Sequence, residues 1–344
     1  MPWAQHFVSE RNLAIAVIRR GGELIGLAPW YMNRSGNRIR RLQLLGTGKH
    51  GDLTEMPQVL TLPGESRSVL RAVVNELFQN SNKWDLFELP LMEDQGWFEP
   101  EWLGKDAGRS GLAQHTVTRA TNILTLPADL ADLQKTIKRN LLESIHRSRN
   151  RLNRQAGSWT VTVHEDVDGM EYALPILTRL HTARSRMVDR RQHADHLSAD
   201  DRYEFVSDAL RGMAKSGKAQ IFTLDVDNHE VAAQLVLYAA DSTYVGLSGV
   251  DPDWWQVGAV TLLQWYAAEA SIARGNQTFN LSVGPNLAKL RWSERIVQHP
   301  AFVVCAPRRY SQLALAGYRA AAAVNGVRRE AAYRSESGSR RSVL

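Results

Sequence analysis

The segment from Ser242 to Gly284 constrains the fold of this chain more than any other part of the sequence. Thr243–Gly249 is an apolar run of strand length, and the loop Asp253–Gly258 follows it. Ala259–Arg274 has the apolar spacing of a helix, and Thr278–Val283 is a further apolar run. A strand, a loop, a helix and a strand in this order predict an α/β unit.

A predicted hairpin precedes this unit. Ala219–Val226 and Glu230–Ala239 are apolar runs joined at Asp227-Asn228, a dipeptide typical of tight turns. The second half of the chain is therefore predicted to form a hairpin, a third strand, a helix and a last strand between residues 219 and 284.

The N-terminal part repeats this order of elements. Leu13–Arg19 and Leu24–Tyr31 flank Gly21-Gly22, which is a strong hairpin signal. A short strand at 41–45, an amphipathic helix at Ser66–Gln79 and a strand at Trp84–Leu89 complete the series. The predicted fold class is α/β (α+β), with two similar units in tandem, each a mixed sheet flanked by helices.

The same patterns predict the domain boundaries. Residues 1–125 form an N-terminal unit and residues 159–307 a C-terminal unit, joined by a basic helix within 126–158. Residues 91–118 lack a clear period and are predicted to be irregular. Residues 308–344 begin with an Ala-rich helix and end in a Ser/Arg-rich segment that is predicted to be disordered.

Three helices are predicted between the two units. They span Leu130–Gln155, Met170–Arg186 and a stretch from a capping-box-like sequence at 198–201 to Ser216. The first has cations on most of its faces and one apolar stripe. The stripe consists of Leu133, Ile137, Leu141, Ile145 and Leu152.

The composition excludes several classes of protein. The chain has 344 residues, of which 44% are hydrophobic and 23% charged, an ordinary balance for a soluble globular protein. No apolar run approaches the roughly 18 residues of a membrane span, and Met1–Asn12 lacks the apolar core of a secretory signal. Cys305 is the single cysteine and lies in an apolar run, which predicts a buried thiol. A soluble, cytoplasmic protein is predicted.

The formal net charge of +6 points to anionic partners. The cations concentrate in Lys135–Arg154 and in the tail Arg319–Arg341. The basic helix either is a solvated face or binds tRNA or another anionic polymer. Aromatic residues for base stacking are absent from this helix, which argues against sequence-specific reading of RNA.

The loop before the predicted helix at residue 259 is a candidate phosphate site. Unpaired N–H groups and the positive dipole end of a helix favour phosphate or carboxylate at such a position. Gly258 allows the backbone to approach a pyrophosphate closely, since a Cβ there would obstruct it. The alternative is an ordinary loop with a glycine at a helix start.

Several motifs together resemble a known family. They are Val231-Ala232-Ala233-Gln234, Ser248-Gly249-Val250-Asp251-Pro252, and Gly258 before a helix. This combination resembles the CelD-like acetyltransferase domain, which is related to the Fem-type ligases and the wider GNAT superfamily. Leu180-His181-Thr182-Ala183-Arg184 and the segment from Phe279 to Trp292 also fit, so that the similarity covers most of residues 120–295.

The resemblance implies two GNAT-like folds side by side, an acyl-CoA donor and an amine or sugar acceptor. The donor is expected at Gln256, Val257, Gly258, Ala259 and Val260. The residues expected to bind the acceptor are Tyr244, Ser248, Asn280 and Trp292.

Acyl transfer to an amine needs a backbone N–H that polarises the thioester and a route for the proton of the amine. His181, Asp251 and Lys289 are the predicted catalytic residues, and Glu230 is another candidate for the proton. Each has an alternative role, since His181 shares a helical face with apolar residues, Asp251 precedes a proline and Lys289 can be a surface residue. No metal site is predicted, because His193 and His196 with Asp189 match no standard ligand spacing.

Three functions follow as hypotheses. The first is an acyl-CoA-dependent N-acyltransferase acting on an amine, such as an amino sugar of an envelope polysaccharide. The second is a Fem-type aminoacyl transferase that uses charged tRNA and docks it on the basic helix. The third is a non-catalytic partner protein, because Asn280 and Ala288 stand where the family often has an acidic residue and a tyrosine.

Overall fold

The computed structural model describes residues 2–34, 39–90, 114–187 and 193–324. The chain divides into two compact units. The first unit contains Val8–Thr118 and His299–Leu344, and the second contains Met1–Phe7 and Arg119–Gln298. Each has strands of mixed direction packed against helices, and the predicted α/β fold class is confirmed. The domain boundaries named above stay a prediction.

The strands and helices are numbered in chain order. The strands are β1 (Leu13–Arg20), β2 (Glu23–Arg34), β3 (Arg40–Leu44), β4 (Leu60–Thr61), β5 (Leu86–Pro90), β6 (Gln114–Thr125), β7 (Trp159–His164), β8 (Ala219–Val226), β9 (His229–Ala239), β10 (Ser242–Val250), β11 (Thr278–Val283) and β12 (Ile296–Cys305). The helices are α1 (Pro2–Phe7), α2 (Ser66–Gln79), α3 (Leu130–Thr136), α4 (Arg139–Gln155), α5 (Val167–Ser185), α6 (Asp200–Ala214), α7 (Ala259–Ala273) and α8 (Leu287–Leu290). Residues 309–324 are also helical.

The sheet of the first unit has the strand order β1–β2–β3–β5–β12, and β4 pairs with β2. β3 and β5 are parallel, while the other neighbours are antiparallel. The hairpin at Gly21-Gly22 is confirmed, because Arg20 pairs with Glu23 and both glycines have positive φ, 57° and 90°. Two glycines suit this turn, since residues with a Cβ avoid that region.

The core of the first unit lies between its sheet and α2, whose apolar face is buried against β2, β3 and β5. Trp84, Phe78 and Phe87 meet edge to face, with ring centroids 5.0 to 6.0 Å apart. Cys305 is fully buried and packs with Leu315 of the helix at 309–324, as the apolar run around it predicts. The predicted disordered end lies outside the described residues.

The sheet of the second unit has the strand order β6–β11–β10–β9–β8–β7. β10 and β11 are parallel, and the other pairs are antiparallel. The predicted turn at Asp227-Asn228 is confirmed, with φ of 50° and 66°. Helices α3, α4 and α7 share one buried cluster with this sheet. Helix α5 packs against β8, β9 and β10 and against α6.

The predicted single helix over 130–155 is wrong in one respect, because it is two helices. Ile137 and Lys138 have extended backbones (ψ 157° and 134°) between α3 and α4. Thr136 turns its hydroxyl back onto the Leu133 carbonyl (3.1 Å), and two consecutive β-branched residues disfavour a continuous helix. The predicted apolar stripe is nevertheless completely buried.

Other local predictions are corrected as well. The predicted irregular segment 91–118 ends in a strand, since residues 114–118 belong to β6, and its other residues lie outside the described part. Ser198 does not cap α6, because the N-cap residue is Ala199 and no side chain caps this end. The Asp195 carboxylate instead accepts from the N–H groups of Leu197 and Ser198 (both 3.1 Å) and forms the turn before the helix.

None of the described helices is both long enough and apolar enough to cross a membrane.

Candidate active site

The sheet of the second unit opens between β10 and β11. These parallel strands pair only from Ser242–Tyr244 to Thr278–Asn280. Beyond that point the register of β10 against β9 shifts between Val245 and Ser248. The amide nitrogen of Gln234 donates to the carbonyls of Gly246 (3.1 Å) and Leu247 (3.0 Å) and so stabilises this bulge. The gap lies next to the loop that leads into α7.

Asp251 begins that loop. One oxygen of its carboxylate accepts from the Asp253 N–H (3.0 Å), and the 3-10 helix Pro252–Val257 follows. Gly258 then adopts φ +79° and ψ 32°, a left-handed conformation that glycine tolerates best. Helix α7 starts at the next residue, so its first N–H groups point out of the helix without intrahelical acceptors.

Helix α4 holds this loop in place. A Cβ on Gly258 would lie 3.0 Å from the Ser148 hydroxyl oxygen, and Arg151 donates to the main-chain carbonyl of Gln256. Val257 is buried in the core between these elements. The predicted donor segment 256–260 thus runs from the end of the 3-10 helix into the first residues of α7, and the dipole and unpaired N–H groups of a helix start favour phosphate. Its role as the donor site stays a prediction.

His181 lies behind β10 and is fully buried. Its Nδ1–H donates to the Ser248 carbonyl (2.9 Å), and its Nε2 accepts from the His196 N–H (3.2 Å). Burial lowers the pKa of His181, and the nearby His196 and Arg184 lower it further. The imidazole is neutral with both nitrogens engaged, which favours a positioning role, and its catalytic role stays a prediction.

Gly249 explains how α5 comes so close to β10. A Cβ at this position would lie 2.4 Å from the main-chain nitrogen of His181 and 2.5 Å from the carbonyl carbon of Leu180. No side chain fits there without moving the helix. The glycine is thus required by the contact between strand and helix.

Lys289 and Asn280 shape the end of β11. The ammonium group of Lys289 donates to the carbonyls of Ser282 (3.1 Å) and Val283 (2.6 Å). The Asn280 side-chain oxygen accepts from the Ser282 N–H (2.9 Å), and Ser282 itself has φ +71°. Both side chains stabilise an unusual backbone turn. The predicted roles in catalysis and acceptor binding are not tested by these contacts.

The remaining predicted acceptor residues differ in accessibility. Tyr244 is half-buried in the paired part of β10, and burial, with Asp241 adding to it, raises the pKa of its hydroxyl. Trp292 is buried and packs at 6.1 Å against the ring of Phe279. Ser248 is 9% exposed and accepts a hydrogen bond from Arg184 (2.5 Å).

Arg184 belongs to the motif Leu180–Arg184 but is not among the predicted site residues. It lies one turn after His181 on α5, and its guanidinium carbon is 5.8 Å from the centroid of the Trp255 ring. Burial lowers the pKa of Arg184. Arg184 lies three residues after His181 and therefore on the same face of the helix, and this spacing is the sequence signal that places it near the site.

The structure thus gathers Ser248, Asp251 and the segment 256–260 at the end of β10. Asn280 and Lys289 lie at the end of the neighbouring strand, and Glu230 forms a surface ion pair with Arg179 (3.2 Å). Trp292 belongs to the core.

A cavity of about 570 Å³ lies in another part of the second unit. Its walls are residues 123–127, 136, 138 and 292–295, and Lys138 forms an ion pair with Glu294 (2.5 Å) at its edge. The loop at Gly258 does not line it. We place the candidate site at the loop, since the helix start and the open strands are there.

Among the residues that the structure describes, no group of three or more His, Cys, Asp or Glu side chains is arranged to hold a metal ion. Asp189, considered above with two histidines, lies outside that part of the chain.

The strand order, the divergent parallel pair and the helix that begins between them define the GNAT fold, which is the fold of a class of acyltransferases. Residues 139–290 match the family model described as an acetyltransferase (GNAT) domain. This part of the second unit is therefore similar to a GNAT acetyltransferase domain, and the predicted class, an acyltransferase, is confirmed.

Solved structures with the same fold cover most of the chain. A conserved protein of unknown function from Bacteroides thetaiotaomicron VPI-5482 has 13% identity and a TM-score of 0.56, with 88% of each chain covered. FemX has 11% identity and a TM-score of 0.58, over 87% of this chain and 90% of its own. The C-terminal domain of a protein named as a lysylphosphatidylglycerol synthetase, from Agrobacterium fabrum, has 12% identity and a TM-score of 0.53, over 91% and 88%.

At these identities the similarity shows the fold alone. The predicted resemblance to the GNAT superfamily and its Fem-type relatives is confirmed at that level. No curated protein matches the chain.

Proposed function

We propose that this protein is an N-acyltransferase that moves an acyl group from acyl-CoA to an amine. The observation that carries the proposal is the start of α7 at the left-handed Gly258, directly beside the gap between β10 and β11. The N–H groups of the first turn of α7 are suited to the pyrophosphate of the donor. A Cβ at Gly258 would both strain the backbone and meet Ser148, and so the close approach depends on glycine.

In this proposal the opened strands receive the acyl arm of the donor. A backbone N–H of β10 that is not paired with β11 is a suitable hydrogen-bond donor to the thioester oxygen. Its position is already fixed when negative charge develops on that oxygen. Gln256, Val257, Gly258, Ala259 and Val260 form the phosphate cradle. No metal is involved in the proposed reaction.

Asp251 is the best placed group to take the proton of the attacking amine. Its second carboxylate oxygen accepts no hydrogen bond within the described residues, whereas the ring nitrogens of His181 are both engaged. The ammonium group of Lys289 donates to two carbonyls at the end of β11. In this proposal Lys289 thereby fixes the end of β11 beside the bound acceptor. Tyr244, Ser248 and Asn280 are proposed acceptor contacts, and Trp292 supports them from the core.

The acceptor is proposed to be an amino sugar or another amine used in envelope polysaccharide biosynthesis. This part of the proposal is supported by the resemblance of the Ser248–Pro252 and Gly258 motifs to CelD-like acetyltransferases. We place the reaction in the cytoplasm, where acyl-CoA donors are made.

A thermal-shift titration with acetyl-CoA and longer acyl-CoA thioesters tests the donor. At a ligand concentration of 100 times Kd, binding adds about 2.7 kcal/mol to the free energy of unfolding, which raises the melting temperature. Gln256→Glu places a negative charge on an exposed residue beside the proposed pyrophosphate and should weaken binding by about tenfold. Gln298→Glu, an equal change at another exposed position of the chain, is the control. Absence of stabilisation by every acyl-CoA tested would contradict the proposal.

A second candidate is an aminoacyl transferase that uses charged tRNA. FemX shares the fold, and α4 presents the exposed cations Arg139, Arg147 and Arg154. Glu143 pairs with Arg139 (2.9 Å) and with Arg147 (3.7 Å), which reduces the positive charge available for RNA. Salt-sensitive binding of tRNA without binding of CoA favours this candidate. Binding of neither ligand favours a non-catalytic partner protein.

A further inference from the structure

The guanidinium group of Arg184 has no carboxylate partner among the described residues. Its one hydrogen bond in that part of the chain runs from Nη1 to the Ser248 hydroxyl oxygen. Burial lowers the pKa of Arg184, and no neighbouring carboxylate opposes that effect. A guanidinium has five N–H donors, and a half-buried cation with unused donors is costly unless a ligand supplies the missing charge and acceptors.

Two other arginines of this unit have carboxylate partners. Arg179, on the same helix, contacts the Glu230 carboxylate (3.2 Å), and Arg211 on α6 contacts those of Glu171 (3.1 Å) and Asp208 (3.2 Å). These ion pairs lie at the surface, where they contribute little. Arg184 is less exposed than Arg179, and it lacks the carboxylate partner that both of them have.

The position of Arg184 places its charge at the end of β10. Ser248 comes after Tyr244, the last residue of β10 that pairs with β11. Arg184 reaches this point from α5, whereas α4 and α7 form the cluster that supports the proposed pyrophosphate cradle. The guanidinium therefore lies at the end of β10, against the Trp255 ring of the loop that leads into α7.

Two neighbouring imidazoles do not add charge at neutral pH. His181 is buried and neutral, and burial together with Arg184 lowers the pKa of His193 to about 4. Among these three side chains the positive charge belongs to Arg184.

We propose that Arg184, oriented by Ser248 and Trp255, binds an anionic group, a carboxylate or a phosphate, of the acceptor amine. The planar guanidinium can present two parallel N–H groups to such an oxyanion. The Trp255 ring beneath it and the Ser248 hydroxyl fix its orientation. The assignment of this anionic group to the acceptor rests on the proposed function, whereas the anion site itself does not.

Binding of inorganic phosphate and of acetate to the full chain, measured by calorimetry without CoA, tests the anion site. Saturable binding of either ion is expected, and Arg184→Gln should weaken it at least about tenfold, because a charged hydrogen bond is lost. Arg184→Lys should give an intermediate affinity, since it keeps the charge and loses the two-pronged geometry. Arg211→Gln removes the same charge from a paired surface arginine and should leave the affinity unchanged.

A spectroscopic readout locates the ion. Phosphate binding should change tryptophan fluorescence in the full protein and give a smaller change in Trp255→Phe. If Arg184→Gln does not fold, Ser248→Ala, a small change that removes the hydroxyl acceptor, should weaken phosphate binding by about threefold or more. Equal affinity in the natural protein and in the Arg184 or Ser248 variants overturns the proposal.

A third measurement separates acceptor from donor. Affinity for CoA should be the same in the natural protein and Arg184→Gln, whereas the preference for glucosamine 6-phosphate over glucosamine should be lost. A weaker CoA affinity in Arg184→Gln would assign the guanidinium to the phosphates of the donor and overturn the acceptor site. Phosphate binding in a protein that binds no acyl-CoA would leave the anion site standing and remove the proposed acyl transfer.

Discussion

The Nδ1–H of His181 donates to the main-chain carbonyl of Ser248 at 2.9 Å and ties α5 to the strand that opens the sheet. The other ring nitrogen accepts from the His196 N–H, so that one buried side chain joins three parts of the backbone. Such a network is worth most when every member is satisfied, and it loses stability when one member is removed.

We predict that His181→Gln lowers the free energy of unfolding by about 2 kcal/mol, because buried backbone groups lose their partner. Urea unfolding measures this loss. If His181 only positions β10, the pH dependence of acyl transfer persists in the variant. A variant as stable as the natural protein that has lost acyl transfer would show instead that His181 acts in the chemistry.

Gly249→Ala should cost about 3 kcal/mol or more, since the new methyl group meets the main chain of α5 and not a movable side chain. Gly246→Ala is the matched control on the same strand, because its Cβ would make an ordinary contact with Leu235 at 3.5 Å. We expect less than about 1 kcal/mol for the control. Similar losses at both positions would mean that α5 can move away from β10.

Gly258→Ala and Gly275→Ala form a second matched pair. Both glycines have positive φ, +79° and +77°, so each alanine should cost about 1 kcal/mol of stability. Only the Cβ at residue 258 has a close neighbour, Ser148, and Ser148→Gly should recover part of the loss there. Acyl-CoA affinity should fall in the Gly258 variant alone. Gly258→Glu is a poorer test, because it adds strain and charge together.

Stability should decrease as the pH falls from about 6.5 toward 4. The pKa of His193 is lowered from 6.5 to about 4, with burial as the main cause and Arg184 the next. The unfolded chain therefore binds a proton in this interval that the folded chain does not, and stability rises with pH there. His193→Gln should reduce the slope, whereas exposed His146→Gln should not. Urea unfolding at several pH values measures the difference, and an unchanged slope in His193→Gln would contradict the low pKa.

The sequence predicts those parts of the fold that depend on neighbours along the chain. The hairpins at Gly21-Gly22 and Asp227-Asn228 have two-residue turns. Both turns need positive φ at their two central residues, which these residue types adopt more readily than most. Gly258 before α7 is also predictable from local sequence, because a left-handed backbone at that position strongly favours glycine.

Other features depend on contacts that the sequence does not display. Strand β7 is an exception, because the alternation of Thr and Val over Trp159–His164 is itself typical of a strand, although β7 is not among the predicted strands. The apolar residues on both sides of the helix break at Ile137 keep the spacing of one continuous helix, so that hydrophobic periodicity does not reveal the break. The need for glycine at position 249 comes from the close approach of α5. The importance of Arg184 comes from the absence of a carboxylate near it in the described structure. Both are properties of tertiary packing.

The buried amide of Gln234 has a further consequence for ligand binding. By holding the carbonyls of Gly246 and Leu247, it keeps β10 from sliding back into register with its neighbour. The separation of β10 from β11 therefore exists before any donor arrives. An incoming thioester has no ladder hydrogen bonds to break, and the free energy of its binding is available to orient the acyl group.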